Sequence, residues 1–477
     1  MRNAINKKHY FTSFKLCVSD YFLFFGFLFF IPFAAFSWKF MVTSNPSLIF
    51  FNDQMIITCF TITAICLGFY FFFEAKQKRL KNEWFLWLFV FFTISSLVSV
   101  LIQPTNSIVH VTVKKIEELN KKIYPGIEIG DIITVTTHIS STHRLFFACS
   151  SILIPSIIFI ILFILPKRIN SIKFIVVITV IVSVFIICLT FYSYIFEFNK
   201  YRPFLKNMIA GNVEGMYAYA MTSFLVQRVP YGACLMMGLM FFLVSNSITK
   251  KWYWLLGVGY CFINMLFTWN KTGLAITFFI LNIYVVINLI FTFKKNIKRN
   301  VIITIIYLLL LVGFASIILI ALLSKGDILG SLYNLLSSFT EKKSILSRTY
   351  IWANIRQRLQ GGWLIIGRGY GMHNYVLYPM NLVNGDDVCP SHSSYYAVLG
   401  AGGLIQLIGY LAMIIFYVFI FIKCIEKDKV LSFSLALPVF SFFLYSFTEG
   451  VNYLVITFML PTILYYNLIK KQQENNV

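Results

Sequence analysis

Twelve times between residues 20 and 469 the chain runs apolar for roughly 18 to 25 residues, each run long enough to cross a hydrocarbon core about 30 Å thick as a helix. The runs lie near 20–42, 54–73, 84–101, 145–165, 174–196, 229–248, 252–269, 272–293, 301–323, 395–422, 430–447 and 451–469. Only 12% of the 477 residues are charged and 59% are hydrophobic, against about 25% and roughly 45 to 50% in soluble domains. The expectation is one all-α, polytopic membrane domain over 1–477 with about twelve transmembrane helices. The first run, from Tyr21 to Val42, follows a basic leader, but its length and the many runs behind it read as a retained helix. The break at Asn270–Thr272 is the least marked, and one long kinked span would also fit there.

The net charge of +22 would suggest nucleic acid in a soluble protein, but the cations sit between apolar runs and most of the 52 Phe lie inside them, so nucleic acid is excluded as a partner. Arg2, Lys7, Lys8 and Lys15, then Lys76 to Lys81, Lys167 to Lys173, Lys250 and Lys251, Lys294 to Arg299, Lys423 to Lys429, and Lys470 and Lys471 fall on alternate connections. By the positive-inside rule both termini are then cytoplasmic. Nine cysteines, mostly within apolar runs, form neither a disulfide framework nor a Cys-x-x-Cys pair. No internal repeat is evident.

Three outer segments, 102–144, 197–228 and 324–394, are too long to be turns, and function is expected there, with 324–394 the main candidate catalytic loop. The first holds an amphipathic helix candidate at 113–123 and a β-like stretch at 129–137. Five of six histidines, His110, His138, His143, His373 and His392, fall outside, beside sparse cations Arg228, Lys271, Arg348, Arg356, Arg358 and Arg368. The positive-inside rule gives no reason for outer cations, so an anionic ligand is one reading, with ion pairs and solvent exposure as the other. Residues 343–359 read as an amphipathic helix, with Ile351, Ile355 and Leu359 on one face and Arg348 one turn before Trp352. The following Gly367-Arg368-Gly369 turn offers backbone N–H groups that could face an anion. His392 precedes a glycine-rich span, either as a catalytic base or as a helix-capping neighbour.

The segments SRTYIW, IIGRGYG and SHSSYYAVLGAGGL together resemble the signature of the bacterial O-antigen polymerase and ligase superfamily. Arg348 with Trp352, Gly367 with Gly369, and His392 with Tyr395 and Gly403 match in turn. QRVPYGACLMMGL resembles the family's Arg-led entry into a span, at Arg228, and FTWNKTGLAITFF its Ser-Arg-Gly entry, with Lys271 where an Arg is usual. Lys keeps the charge and loses the bidentate fork.

The resemblance implies a GT-C-like membrane fold with its largest outer loop before the last three helices. It implies a metal-independent, inverting glycosyltransferase with no cofactor in the bacterial cytoplasmic membrane, its active site facing outward. The donor would be an undecaprenyl-pyrophosphate-linked glycan, with Arg228, Arg348 and Lys271 binding substrate and His392 as the base that deprotonates the acceptor hydroxyl. His373, in the same loop, is the rival base. A second glycan acceptor, membrane lipid and a chain-length regulator are the implied partners. Within the family the chain is a polymerase of O-antigen or capsular repeat units or, alternatively, a ligase. Outside it, a lipid or solute transporter would need mid-membrane charges in two related halves, which the sequence does not show. A sugar acyltransferase would need an Arg/His-rich first helix, whereas Lys39 is the only such residue between Tyr21 and Met41.

Overall fold

A computed structural model describes residues 18, 21–31, 53–76, 94, 98, 106–112, 128, 131–138, 171–225, 228–292, 297–323, 330–339, 342–369, 392–447, 461–463, 465–466 and 469. The chain is mostly helical. Its principal elements are α1 (Asp53–Lys76), β1 (Asn106–Thr112), β2 (Ile132–His138), α2 (Ser171–Phe196), α3 (Phe198–Ala210), α4 (Val213–Ala218), α5 (Arg228–Thr249), α6 (Tyr253–Thr268) and α7 (Lys271–Thr292). There follow α8 (Ile297–Leu323), α9 (Gly330–Phe339), α10 (Lys342–Arg358), α11 (Gly362–Ile366), α12 (Ser394–Ile425) and α13 (Lys429–Ser446).

Among the described residues, five helices are long and apolar enough to cross a membrane: Ile175–Phe196, Arg228–Thr249, Lys271–Ile290, Ser394–Ile425 and Lys429–Ser446. That is the pattern of an integral membrane protein. Helices also cover the apolar runs at 54–73, 252–269 and 301–323. The runs at 84–101 and 145–165 and the helix expected at 113–123 lie almost wholly outside the described residues. The mostly helical chain agrees with the all-α expectation and carries one short strand pair within it. β1 and β2 pair antiparallel, with Asn106 opposite His138 and Thr112 opposite Ile132. The β-like stretch at 129–137 is therefore a strand, and its partner NSIVHVT, alternating and β-branched, went unread in the sequence.

The chain divides into two compact units, one of 1–178, 347–423 and 442–477, the other of 179–346 and 424–441. In the second unit α5 is the central helix, buried almost without interruption from Pro230 to Val244. Small residues let its neighbours approach: a Cβ at Gly238 would meet Ile186 Cγ1 at 2.9 Å, and one at Gly257 would meet the Phe242 ring at 2.8 Å. α6 and α7 are two helices and not one kinked span. Trp269 turns left-handed (φ 46°) at the end of α6, and the Asn270 side chain accepts from Gly273 N–H at 3.1 Å to cap α7. Asn270 Nδ2 also donates to the Val229 carbonyl at 3.4 Å, which ties the starts of α5 and α7 together. Farther along, Tyr284 donates to Asn246 Oδ1 at 2.8 Å, so the two helices run parallel.

In the first unit, residues Tyr21–Ile31 pack on α1, with Phe22 stacked on Phe69 at 5.2 Å between centroids. Helix α12 is broken at Gly403, whose φ of 67° and ψ of −163° are not helical. A break in an apolar helix strands carbonyls that lipid cannot hydrogen-bond. Here they are met from within the chain: Arg368 N–H donates to Gly400 O at 2.8 Å and Gly369 N–H to Ala401 O at 2.9 Å. Gly367 and Gly403 permit this contact, since each has positive φ and a Cβ on either would collide with backbone, that of Ala401 and Ile365 respectively.

Gly403→Ala should therefore destabilise the purified protein in detergent by about 1 to 2 kcal/mol from the left-handed backbone alone, before the collision with Ile365 is added. Gly313→Ala, in α8 with open space around its Cβ, should be neutral or stabilising in the same thermal-unfolding measurement.

Candidate functional site

Arg228 is the first residue of α5 and Lys271 the first of α7, so the parallel run of these helices brings the two cations to the same end. Both stand over the ring of Tyr217 in α4, the Arg228 guanidinium carbon at 4.0 Å from the ring centroid and Lys271 Nζ at 5.0 Å. Lys271 Nζ also donates to the carbonyl of Ser338, near the end of α9, at 2.7 Å. Arg228 Nη1 is buried and has no hydrogen-bond partner among the described residues.

The electrostatics of this arrangement favour an anion. Each helix N-terminus carries roughly half a positive charge from its aligned peptide dipoles, and a cation placed there is disfavoured by similar energies to those that favour an anion. Here two N-termini and two full cations converge, and among the described residues no carboxylate is seen paired with either of them. A phosphate-like group would satisfy Nη1 and offset the stacked positive charge.

The approach to Arg228 is held by a residue that sequence reasoning missed. Glu197 is only 6% exposed, yet it carries a carboxylate ringed by donors. Ser193 Oγ and Lys200 Nζ each donate to it at 2.8 Å, Thr222 Oγ1 at 2.9 Å, Ser223 N–H at 2.9 Å and Thr222 N–H at 3.2 Å. Burial alone would raise its pKa, but the hydrogen bonds from Lys200, Ser193 and Ser223 and the Lys200 charge outweigh it and hold the group below the ordinary glutamate value. The carboxylate thereby pins the turn at Ser223, which adopts a strained left-handed conformation (φ 56°) shortly before Arg228.

Arg348 and His392 belong to the other unit. The stripe expected on 343–359 is present: Ile355 and Leu359 are buried, with Ile351, Trp352, Trp363, Tyr396 and Leu399 around them. Trp352 stacks on Tyr396 with centroids 5.2 Å apart and planes 9° apart, joining α10 to the start of α12. Arg348 lies one turn before Trp352, and His392 one turn before Tyr396. His392 is half-buried with a left-handed backbone (φ 47°), followed by the buried Ser393 and Ser394.

The Gly367-Arg368-Gly369 turn does not serve as an anion cradle. Its Arg368 and Gly369 N–H groups are spent on α12 carbonyls, and the Arg368 guanidinium donates to the Arg358 carbonyl at 3.1 Å while stacking on Trp363 at 4.4 Å. The turn caps two helix ends. Burial and the neighbouring Arg358 charge both lower the Arg368 pKa. His110 and His138 lie on the strands, and His143, His373 and Asp386–Asp387 fall outside the described residues. Among the described residues no cluster of three His, Cys, Asp or Glu is placed to hold a metal ion.

Because the folded pKa of Glu197 is lowered, its contribution to stability is complete above about pH 4.3 and disappears as pH falls through the lowered value. Glu197→Gln should cost about 1 to 3 kcal/mol at neutral pH, since its amide nitrogen would face donors, and should remove that acid-side loss. Thermal unfolding of both proteins from neutral to acid pH measures the two effects together. No protein-family model, curated protein or solved structure matches the chain.

Proposed function

We propose that the chain is a polymerase that joins undecaprenyl-pyrophosphate-linked oligosaccharide repeat units into O-antigen or capsular polysaccharide. It works as a twelve-span, GT-C-like protein of the bacterial cytoplasmic membrane, with both termini cytoplasmic and its chemistry on the outer face. The observation that carries this reading is the pairing of Arg228 and Lys271 over Tyr217 at two helix N-termini, with Arg228 Nη1 buried and unpartnered.

A lipid-linked glycan leaves its sugar as lipid pyrophosphate, and the leaving group gains charge beside the membrane as the glycosidic bond breaks. Arg228 and Lys271 bind its oxygens through charge-assisted hydrogen bonds, and Arg348 is a further substrate-binding cation. His392 takes the proton from the acceptor hydroxyl as that oxygen attacks and inverts the anomeric carbon. The resemblance around Arg348, Gly367, Gly369, His392 and Gly403 supports the same chemistry.

In cells lacking the chain, wild type should restore long polymer, and His392→Ala should lose about 10²- to 10⁴-fold of the rate. Arg228→Ala should lose about 10²- to 10³-fold. Glycan gels would then show single repeat units on lipid, with each variant present in the membrane at wild-type level. Long polymer stranded on its lipid carrier would instead identify a ligase. Wild-type gels from Arg228→Ala, Arg348→Ala and His392→Ala would overturn the assignment of the site.

A further inference from the structure

Helix α3 follows the long apolar α2 with only Glu197 between them, and its two faces differ in kind. Tyr201 and Phe204 pack on Phe267 of α6, with ring centroids 4.9 and 5.6 Å apart. The adjoining face, about 100° round the helix, carries Phe198, Arg202, Leu205 and Ile209, spaced by four, three and four residues and thus in one stripe, with Phe198 at its edge 6.4 Å from the Tyr201 ring. Phe198 is 73% exposed, Ile209 74% and Leu205 38%. Lys206 is exposed one turn beyond Arg202.

Leaving a Phe or Ile side chain in water forgoes about 1.5 to 3 kcal/mol each, so this stripe is costly unless something apolar covers it. Its place in the chain says what does. The span Ile175–Phe196 ends immediately before Glu197, which puts α3 at the level where hydrocarbon gives way to headgroups. Its charges match that level in sign: among the described residues no carboxylate pairs with Arg202 or Lys206, whereas Lys200 is committed to Glu197.

We propose that α3 is a membrane-surface helix that binds anionic phospholipid, with Phe198, Leu205 and Ile209 seated among the upper acyl chains and Arg202 and Lys206 on the lipid phosphates. Nothing in this placement depends on the reaction the chain carries out. It uses exposed side chains beside the face that meets Phe267, so lipid binding and the packing of α3 on α6 coexist. The contact fastens the segment from Glu197 onward to the bilayer surface.

The test uses the full-length protein in nanodiscs of phosphatidylcholine alone or of phosphatidylcholine mixed with phosphatidylglycerol. A photoreactive benzoylphenylalanine replaces Phe198 or Ile209, and the peptides are analysed by mass spectrometry after illumination. Both positions should label lipid, whereas the same probe at Phe204 should label protein. Arg202→Gln with Lys206→Gln should cut phosphatidylglycerol labelling about fivefold per cation removed and leave phosphatidylcholine labelling unchanged. An unchanged Phe204 cross-link keeps misfolding from passing as a positive result. Labelling of protein at 198 and 209, whether the same chain or a second copy, would overturn the proposal, as would absence of labelling. Phosphatidylglycerol labelling indifferent to the two cations would overturn its anionic part.

Discussion

In hydrocarbon every backbone N–H and C=O must find its partner within the protein, and the places where this chain interrupts its helices are where that demand organises everything nearby. At Gly403 the interruption is closed by two N–H groups from the 367–369 turn. At Trp269 and Asn270 it is closed by one side chain that caps α7 and reaches across to the start of α5. Both solutions have the same by-product. Capping a break requires a second segment to be held at a helix end, and the residues flanking that end are then fixed in direction. His392 precedes the broken helix of one such assembly, Arg348 lies within α10 that packs on it, and Arg228 and Lys271 open the helices of the other.

Electrostatics sharpen the difference between the two. Arg368, an equal member of the outer cation set in the sequence, donates to the Arg358 carbonyl and stacks on Trp363, where a cation at a helix C-terminus is favourable, although its Nε, like Arg228 Nη1, is buried without a hydrogen-bond partner among the described residues. Arg228 and Lys271 sit at the opposite kind of helix end, where their charge is unfavourable and, among the described residues, the π face of Tyr217 and one carbonyl offset it. Cations of similar appearance in the sequence are therefore separated by the helix terminus each occupies.

The membrane helices were legible because run length and apolar content encode burial in lipid directly, and the Ile351, Ile355 and Leu359 stripe because helical period encodes a packed face. The capping role of the Gly367-Arg368-Gly369 turn was not, since glycine-rich turns look alike until their N–H partners are known, and these lie more than thirty positions away. Tyr217 and Ser338 gave no signal for a similar reason: each meets Lys271 from more than fifty positions away, with whole helices between and no local periodicity to mark it. Glu197 belongs to no motif in the sequence. What distinguishes it is the five donors that the fold assembles around it, three of them from residues 222 and 223.

Glu197 also joins the two features of the 197–228 segment that have separate physical causes. On one side its carboxylate takes up Lys200, which leaves Arg202 and Lys206 as the uncommitted cations of α3. On the other it holds the strained Ser223 turn through which the chain reaches Arg228. A single buried carboxylate at the end of α2 is costly in isolation, and it is retained here because both neighbours lose their geometry without it. The end of one membrane span thus sets the direction of a surface helix and the position of the cation that opens the next.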